Sequence, residues 1–264
     1  MGLNQEQGRS VYCEGDLAVR EISPLYDAAR EMITRVSRPG DIILDLGCAC
    51  LLASRLLKEG EYNVIGLDLD FDALATAKKR DATTPLVCAD LVRFPMGSDE
   101  RVKAVLLLDV LEHLTREDAK GLLEELTEKF NCPLVVSMPI ISLFSLPCLK
   151  ERFRMWQHGG ERPVMGLFDR THKILTDRKG HRQIFEDAGY LVEAEYISSW
   201  RGVTGEWETV HPVVVPSVLR WRAKQLADVV IPAVLCPFDR SARQEVYKTI
   251  EGVQALYLLK PNRK

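Results

Sequence analysis

The stretch DIILDLGCACLLASRLL, residues 41–57, decides how this chain is read. Residues 41–46 form a short, nearly continuous apolar run, which suits a strand covered on both faces. Gly47 then permits a tight turn, because a residue without Cβ enters left-handed backbone at little cost. Beyond it the apolar residues recur at helical spacing as far as residue 59. Strand, glycine turn and helix in that order open an α/β unit, and the backbone amides of such a turn are expected to face a ligand.

Working outward, the same rhythm repeats. Upstream, Ser23-Pro24 reads as an N-cap with proline at the first helical position, followed by Leu25, Ala29, Met32, Ile33 and Val36 at helical spacing, and Pro39-Gly40 ends that helix. Downstream, apolar runs at 63–68, 85–88, 102–108 and 133–138 alternate with helical patterns at 71–80 and 116–130. Asp70 and the Thr115-x-x-Asp118 box are the caps of those two helices. A helix at 177–188 closes on Gly189, and strands follow at 191–197 and 253–260. Two stretches break the rhythm. Residues 141–168 read as an insertion or lid, and residues 199–245, which hold Trp200, Trp207 and Trp221, as inserted helices.

The chain is read as a single domain: an N-terminal helical cap at 1–40, a cofactor-binding half at 41–140, the insertion at 141–168, and a C-terminal half at 169–264. Its 264 residues suffice for one sizeable core, and 46% hydrophobic with 28% charged residues is an ordinary globular balance. A net charge of −3 gives no general pull toward nucleic acid, so no nucleic-acid partner is expected. Residues 149–182 nevertheless hold nine Lys or Arg against four acids, a local surplus that suits an anionic partner. The seven cysteines fall at scattered positions without a C-x-x-C pair, the usage of a reduced cytoplasmic protein. Cys48-x-Cys50 lacks the second pair that a tetrahedral zinc site needs, so no metal is expected. The N-terminus has no apolar signal core, and no apolar run is long enough to span a membrane. The stretch 213–236 suits a packing helix better than a peripheral membrane contact.

In an open α/β sheet, ligands bind beyond the carboxyl ends of the strands. Four such ends carry chemistry: Asp45-Leu46-Gly47; Asp68, placed 21 residues beyond Gly47 where a carboxylate reaches ribose hydroxyls; Cys88-Ala89-Asp90-Leu91; and LDVLEHL at 108–114. In this order and spacing, with LDVLEHL, residues 20–198 resemble the class I S-adenosylmethionine-dependent methyltransferases, the small-molecule group with a VLEHL-like motif. GLFDRTHKILTDRKGHRQIFEDAGYLVE at 166–193 is similar to a passage in methyltransferases associated with bacterial surface-polysaccharide synthesis.

The resemblance implies a Rossmann-like α/β fold: a seven-stranded, mostly parallel sheet with helices on both faces and an antiparallel last strand. It implies S-adenosylmethionine as cofactor, held by Asp45, Gly47, Cys48 and Ala49, by Asp68 and Leu69, by Asp90 and Leu91, and by Leu108 and Asp109. One departure stands out. Ala49 and Leu51 occupy positions where the family usually has glycine, and a branched Leu51 is expected to shift or widen the turn.

On the acceptor side the candidates are His113, at the mouth of the fourth strand, and His172, in Asp169-Arg170-Thr171-His172. Asp169 and Arg170 read as a structural ion pair, and Tyr12 and Tyr26 as core or closing aromatics. The expected reaction is methyl transfer to an oxygen or nitrogen of a small polar acceptor, such as a glycan or a carrier-linked sugar. A fold that kept its shape and lost its cofactor is the other reading. A nicotinamide oxidoreductase is disfavoured, since G-x-G-x-x-G is not satisfied at Gly47, Ala49 and Leu52.

Overall fold

The computed structural model describes residues 24–51, 57–58, 61–142, 145–157, 159–160, 168, 170–199 and 252–262. In chain order these form α1 (Pro24–Val36), β1 (Ile42–Leu46), β2 (Asn63–Asp68), α2 (Phe71–Arg80), β3 (Leu86–Cys88), β4 (Val102–Leu108) and α3 (Arg116–Phe130). There follow β5 (Leu134–Pro139), α4 (Leu146–Gln157), α5 (Arg178–Asp187), β6 (Tyr190–Ser199) and β7 (Gly252–Pro261). The expected strands and helices fall within two residues of these bounds. The exceptions are the helix expected after Gly47, described only at residues 57–58, and the segments at 1–23 and 200–251, which include Tyr12 and the expected helices at 199–245 and lie outside the described residues.

The seven strands form one sheet in the order β3-β2-β1-β4-β5-β7-β6. β1 pairs in parallel with both β2 and β4, whereas β7 runs antiparallel between β5 and β6. The order reverses at β1, so the carboxyl ends of β1 and β4 flank the crevice where ligands of such sheets bind.

Period-two alternation splits the apolar strands between two layers. Leu44 and Leu46 of β1, Val105 and Leu107 of β4, Val136 of β5 and Tyr257 of β7 join Leu122, Leu123 and Leu126 of α3 and Phe185 of α5 on one face. Ile43, Ala104, Leu106, Val135 and Leu258 meet Leu25, Ala29, Met32 and Ile33 of α1 on the other. Truncating any of the fully buried leucines to alanine costs about 2–5 kcal/mol.

Caps hold the helices where the sequence puts them. Asp70 accepts hydrogen bonds from the amides of Asp72 and Ala73. Thr115 Oγ1 accepts from the Asp118 amide at 3.1 Å, while the Asp118 carboxylate takes the Thr115 hydroxyl at 2.7 Å instead of the N-cap amide of a standard capping box. At the far edge, Glu195 of β6 accepts from Arg178 at 2.7 and 2.6 Å and from Arg182 at 2.9 Å, tying α5 to the sheet. Among the described residues of the 149–182 stretch, Arg154 pairs with Glu151, and Arg178 and Arg182 pair with Glu195.

The expected insertion contains a helix, α4, which buries Cys148 and Glu151 and exposes Phe153 and Trp156. Asp169, and with it the expected Asp169–Arg170 ion pair, lies outside the described residues. Among the described residues no helix is long and apolar enough to cross a membrane.

Candidate functional site

The turn after β1 is built from backbone that L-residues rarely adopt. Gly47 lies at φ +75°, and a Cβ there would meet Val110 Cγ2 at 2.4 Å, so only glycine fits. Ala49 and Leu51 also lie in the left-handed region, at φ +43° and +65°. Leu51 therefore takes up the glycine-like conformation itself. Its side chain is buried with Cys48, Leu74 and Ala77, beneath the turn. Gly66 of β2 makes the space, since a Cβ there would lie 2.8 Å from Cys48 Sγ and 3.1 Å from Leu51 Cδ2. Each non-glycine left-handed residue costs about 1–2 kcal/mol, and the apolar burial of Leu51 offsets its share.

The amides of Gly47, Cys48, Ala49 and Leu51 do not face outward as the sequence suggested. Those of Gly47 and Cys48 both donate to Leu67 O, at 2.7 and 3.0 Å, and that of Leu51 donates to Cys48 O at 2.8 Å. The Ala49 amide donates to Asp68 Oδ2 at 2.8 Å. The reason is the close approach of β2, whose Leu67 carbonyl and Asp68 carboxylate reach the turn before any ligand does. A pyrophosphate cradle needs such amides unpaired, which weighs against a dinucleotide.

Asp68 is thereby held from two sides, since its Oδ1 also accepts from the Asp70 amide at 2.8 Å. Each carboxylate oxygen has two acceptor positions, so both retain one for ribose hydroxyls. Beside it, Leu69 and Phe71 are 68% and 69% exposed, large apolar side chains with no cover of their own. Asp90 caps the short turn Leu91–Arg93 by accepting from the Val92 amide at 2.9 Å, and Leu91 is buried beneath it. Asp45 is buried at the end of β1. A carboxylate with acceptor positions left, an exposed apolar side chain beside it and a second acid at the end of the neighbouring strand offer the chemistry an adenosine would need.

Cys48 is a buried thiol. Burial pushes its pKa far up, and the charges of Asp45 and Asp68 push it further, which leaves it inert as a nucleophile or metal ligand. Cys88, Cys132 and Cys148 are free thiols as well.

Where β4 ends, Asp109 turns the chain at φ +57°. Its amide donates to Ser137 Oγ at 2.9 Å, Ser137 Oγ donates to its Oδ1 at 2.6 Å, and Gln254 Nε2 donates to the same oxygen. Leu108, before it, is half-buried. One turn further on, Glu112 is 1% exposed, and burial first, then the charge of Asp109, raises its pKa well above the usual carboxylate range. Among the described residues its Oε2 has no hydrogen-bond partner.

The two candidate histidines come together here. The carbonyl of Glu112 accepts from the amides of Lys173 and Ile174 at 2.7 and 3.1 Å, which pins residues 171–174 against the turn Leu111–His113. Thr171 Oγ1 then lies 3.0 Å from His113 Nδ1, and the rings of His113 and His172 pack edge to face with centroids 4.9 Å apart. Sequence reasoning found both histidines but not Glu112, Ser137 or Gln254. A glutamate inside the otherwise apolar Val110-Leu111-Glu112 was the available signal for the first.

A doubly covered sheet in this order, with acids at the ends of β1, β2 and β4, is consistent with a Rossmann-like methyltransferase fold. Residues 43–130 match the family model described as methyltransferase domain, which supports a class I S-adenosylmethionine-dependent methyltransferase. It is 27% identical over 133 residues to the malonyl-[acyl-carrier protein] O-methyltransferase of Hamiltonella defensa subsp. Acyrthosiphon pisum (strain 5AT). That match covers 49% of each chain, so this chain spans about half the length of that curated relative. In fold it is similar to a SAM-dependent methyltransferase from Archaeoglobus fulgidus, with TM-score 0.54, 16% identity and coverage of 89% of this chain and 94% of that one. It is also similar to geranyl diphosphate C-methyltransferase from Streptomyces coelicolor A3(2), solved with S-adenosyl-L-homocysteine, with TM-score 0.55, 11% identity and coverage of 89% and 80%.

Proposed function

We propose that this protein transfers a methyl group from S-adenosylmethionine to an oxygen, or less readily a nitrogen, of a small polar acceptor, with an anionic glycan or carrier-linked sugar as the first class to test. The observation that carries the reading is Asp68, a carboxylate fixed by two backbone amides at the end of β2 beside the exposed Leu69. The consumption of the turn's amides within the protein favours adenosine over a dinucleotide. When bound, S-adenosylmethionine supplies a methyl group on a sulfonium, which needs an oriented nucleophile and no activation of the leaving group.

The residues divide the work accordingly. Asp68 takes the ribose hydroxyls, Leu69 and Leu91 flank the adenine, and Asp90 meets its edge. Asp45, Gly47, Cys48 and Ala49 form the wall toward the methionine end, with Leu108 and Asp109 opposite. Asp109 is held in place by Ser137 and Gln254. His113 and His172 orient the acceptor and receive its proton where it arrives protonated. Exposed Arg152, Arg170 and Lys173 supply the positive field for an anionic acceptor. The similarity to an O-methyltransferase acting on a carrier-bound malonyl group supports oxygen as the methylated atom.

Isothermal titration with S-adenosylhomocysteine tests the reading. Binding is expected for the wild type and none for Asp68→Ala. A folded sample that gives no heat at high micromolar ligand overturns it in favour of a protein that kept the fold and lost the cofactor. A screen of anionic sugars and carrier lipids, read by release of S-adenosylhomocysteine, then identifies the acceptor class.

A further inference from the structure

We propose that Glu112, His113 and His172 form a binding site for a divalent first-row transition ion. One ligand atom from each of the three residues lies within 4.8 Å of the other two. Two imidazole nitrogens and one carboxylate oxygen suit Zn2+, Co2+ or Mn2+ and leave coordination positions open to a further ligand.

Three independent observations support the site. First, Oε2 of Glu112 is buried and lacks a hydrogen-bond partner among the described residues. A buried polar atom left unsatisfied costs about 1–3 kcal/mol, and a cation is a partner that would remove that cost. Second, the geometry is prepared by the backbone. The paired hydrogen bonds from Lys173 and Ile174 to Glu112 O hold His172 beside His113 across a long sequence separation. The contact between Thr171 Oγ1 and His113 Nδ1 orients that ring from outside, as outer-shell partners do for metal-bound histidines. Third, Glu112 is buried while both histidines are partly exposed, so the cluster reaches the surface through the imidazoles.

Metal–ligand bonds of about 2.0–2.2 Å set neighbouring ligand atoms about 3.3 Å apart, so binding needs a closure of about 1.5 Å at most. Side-chain movement at the three ligands has to supply that closure. The role we assign to the ion, holding an acceptor oxygen in front of the methyl donor, rests on the methyl-transfer reading; the binding itself does not.

The test uses the full chain, stripped with a chelator and dialysed, then titrated with Co2+ and with Zn2+ in the absence of any nucleoside. Visible absorption and calorimetry report the metal, and S-adenosylhomocysteine binding is measured on the same preparation as a separate readout. One equivalent of Co2+ is expected, with d–d bands and no thiolate charge transfer in the near ultraviolet. His113→Ala and His172→Ala are each expected to weaken binding at least tenfold, and Glu112→Gln likewise, while circular dichroism stays that of the wild type. Cys88→Ser, which removes the exposed thiol, is expected to bind as the wild type does. Absence of a stoichiometric site, a thiolate charge-transfer band, or unchanged affinity in the folded histidine variants overturns the proposal. Any of these with S-adenosylhomocysteine binding intact leaves the methyl-transfer reading standing. Loss of S-adenosylhomocysteine binding with the metal retained removes that reading and not the site.

Discussion

Gly47→Ala probes the turn that opens the cofactor crevice, and its cost follows from two separable contributions. The residue sits at φ +75°, and left-handed backbone with a side chain costs about 1–2 kcal/mol. The new methyl group would also stand 2.4 Å from Val110 Cγ2, a backbone-proximal branch that cannot swing away, and overpacking of that kind costs about 1–3 kcal/mol. Together these predict a loss of about 2–5 kcal/mol, or about 10 °C in Tm in the middle of that range for a chain of this size. Denaturant unfolding followed by circular dichroism measures it. The double variant Gly47→Ala/Val110→Ala separates the contributions, because removing the two Val110 methyls relieves the clash and leaves the backbone strain. A favourable coupling of about 1–3 kcal/mol is expected, with the remaining deficit due to φ and to the space left at Val110. A Gly47→Ala variant within about 0.5 kcal/mol of the wild type, or additivity with Val110→Ala, would refute the account of the turn.

Three other outcomes follow from the same geometry. Ala49→Gly is expected to stabilise the protein by up to about 1 kcal/mol, because φ +43° is strained for alanine and the amide bond to Asp68 is kept; a destabilised variant in thermal unfolding contradicts this. Ser137→Ala is expected to cost about 1–3 kcal/mol and to weaken S-adenosylhomocysteine binding, since it strips the Asp109 amide and carboxylate of a shared partner. His181 is buried against the Tyr257 hydroxyl, and burial, opposed by Asp177 and Glu195, lowers its pKa to about 4 from an ordinary 6.5. Between those values the unfolded chain takes up a proton that the native protein does not. Stability therefore falls as pH drops through that window, by at most about 1.4 kcal/mol per unit, and levels off below it. Unfolding midpoints at pH 7, 6 and 5 check the slope, and His181→Gln should flatten it.

The sheet and most of its boundaries were legible because they depend on local pattern. Apolar runs of strand length, helical spacing in 116–130, the caps Asp70 and Thr115 and the stop at Gly189 act within a few residues of themselves. The insertion was legible as a break in the rhythm, although the helix inside it was not. α4 is amphipathic only in part, and the exposed Phe153 and Trp156 obscure its buried side.

At the site the division is sharper. Sequence alone determined that a glycine turn follows the first strand, that Asp68 stands at the right offset from it, and that acids and histidines end the third and fourth strands. Those facts are matters of order and spacing along one chain. Only the tertiary structure decided where the turn's amides point, because their acceptors, Leu67 O and Asp68 Oδ2, belong to the neighbouring strand. It likewise decided that Leu51 is harmless to the turn, since the missing Cβ of Gly66 makes room for it. The meeting of Glu112 and His113 with His172 was beyond sequence reading for the same reason. Residues 58 apart in sequence, as Thr171 and His113 are, come into contact through two backbone hydrogen bonds that no periodicity encodes.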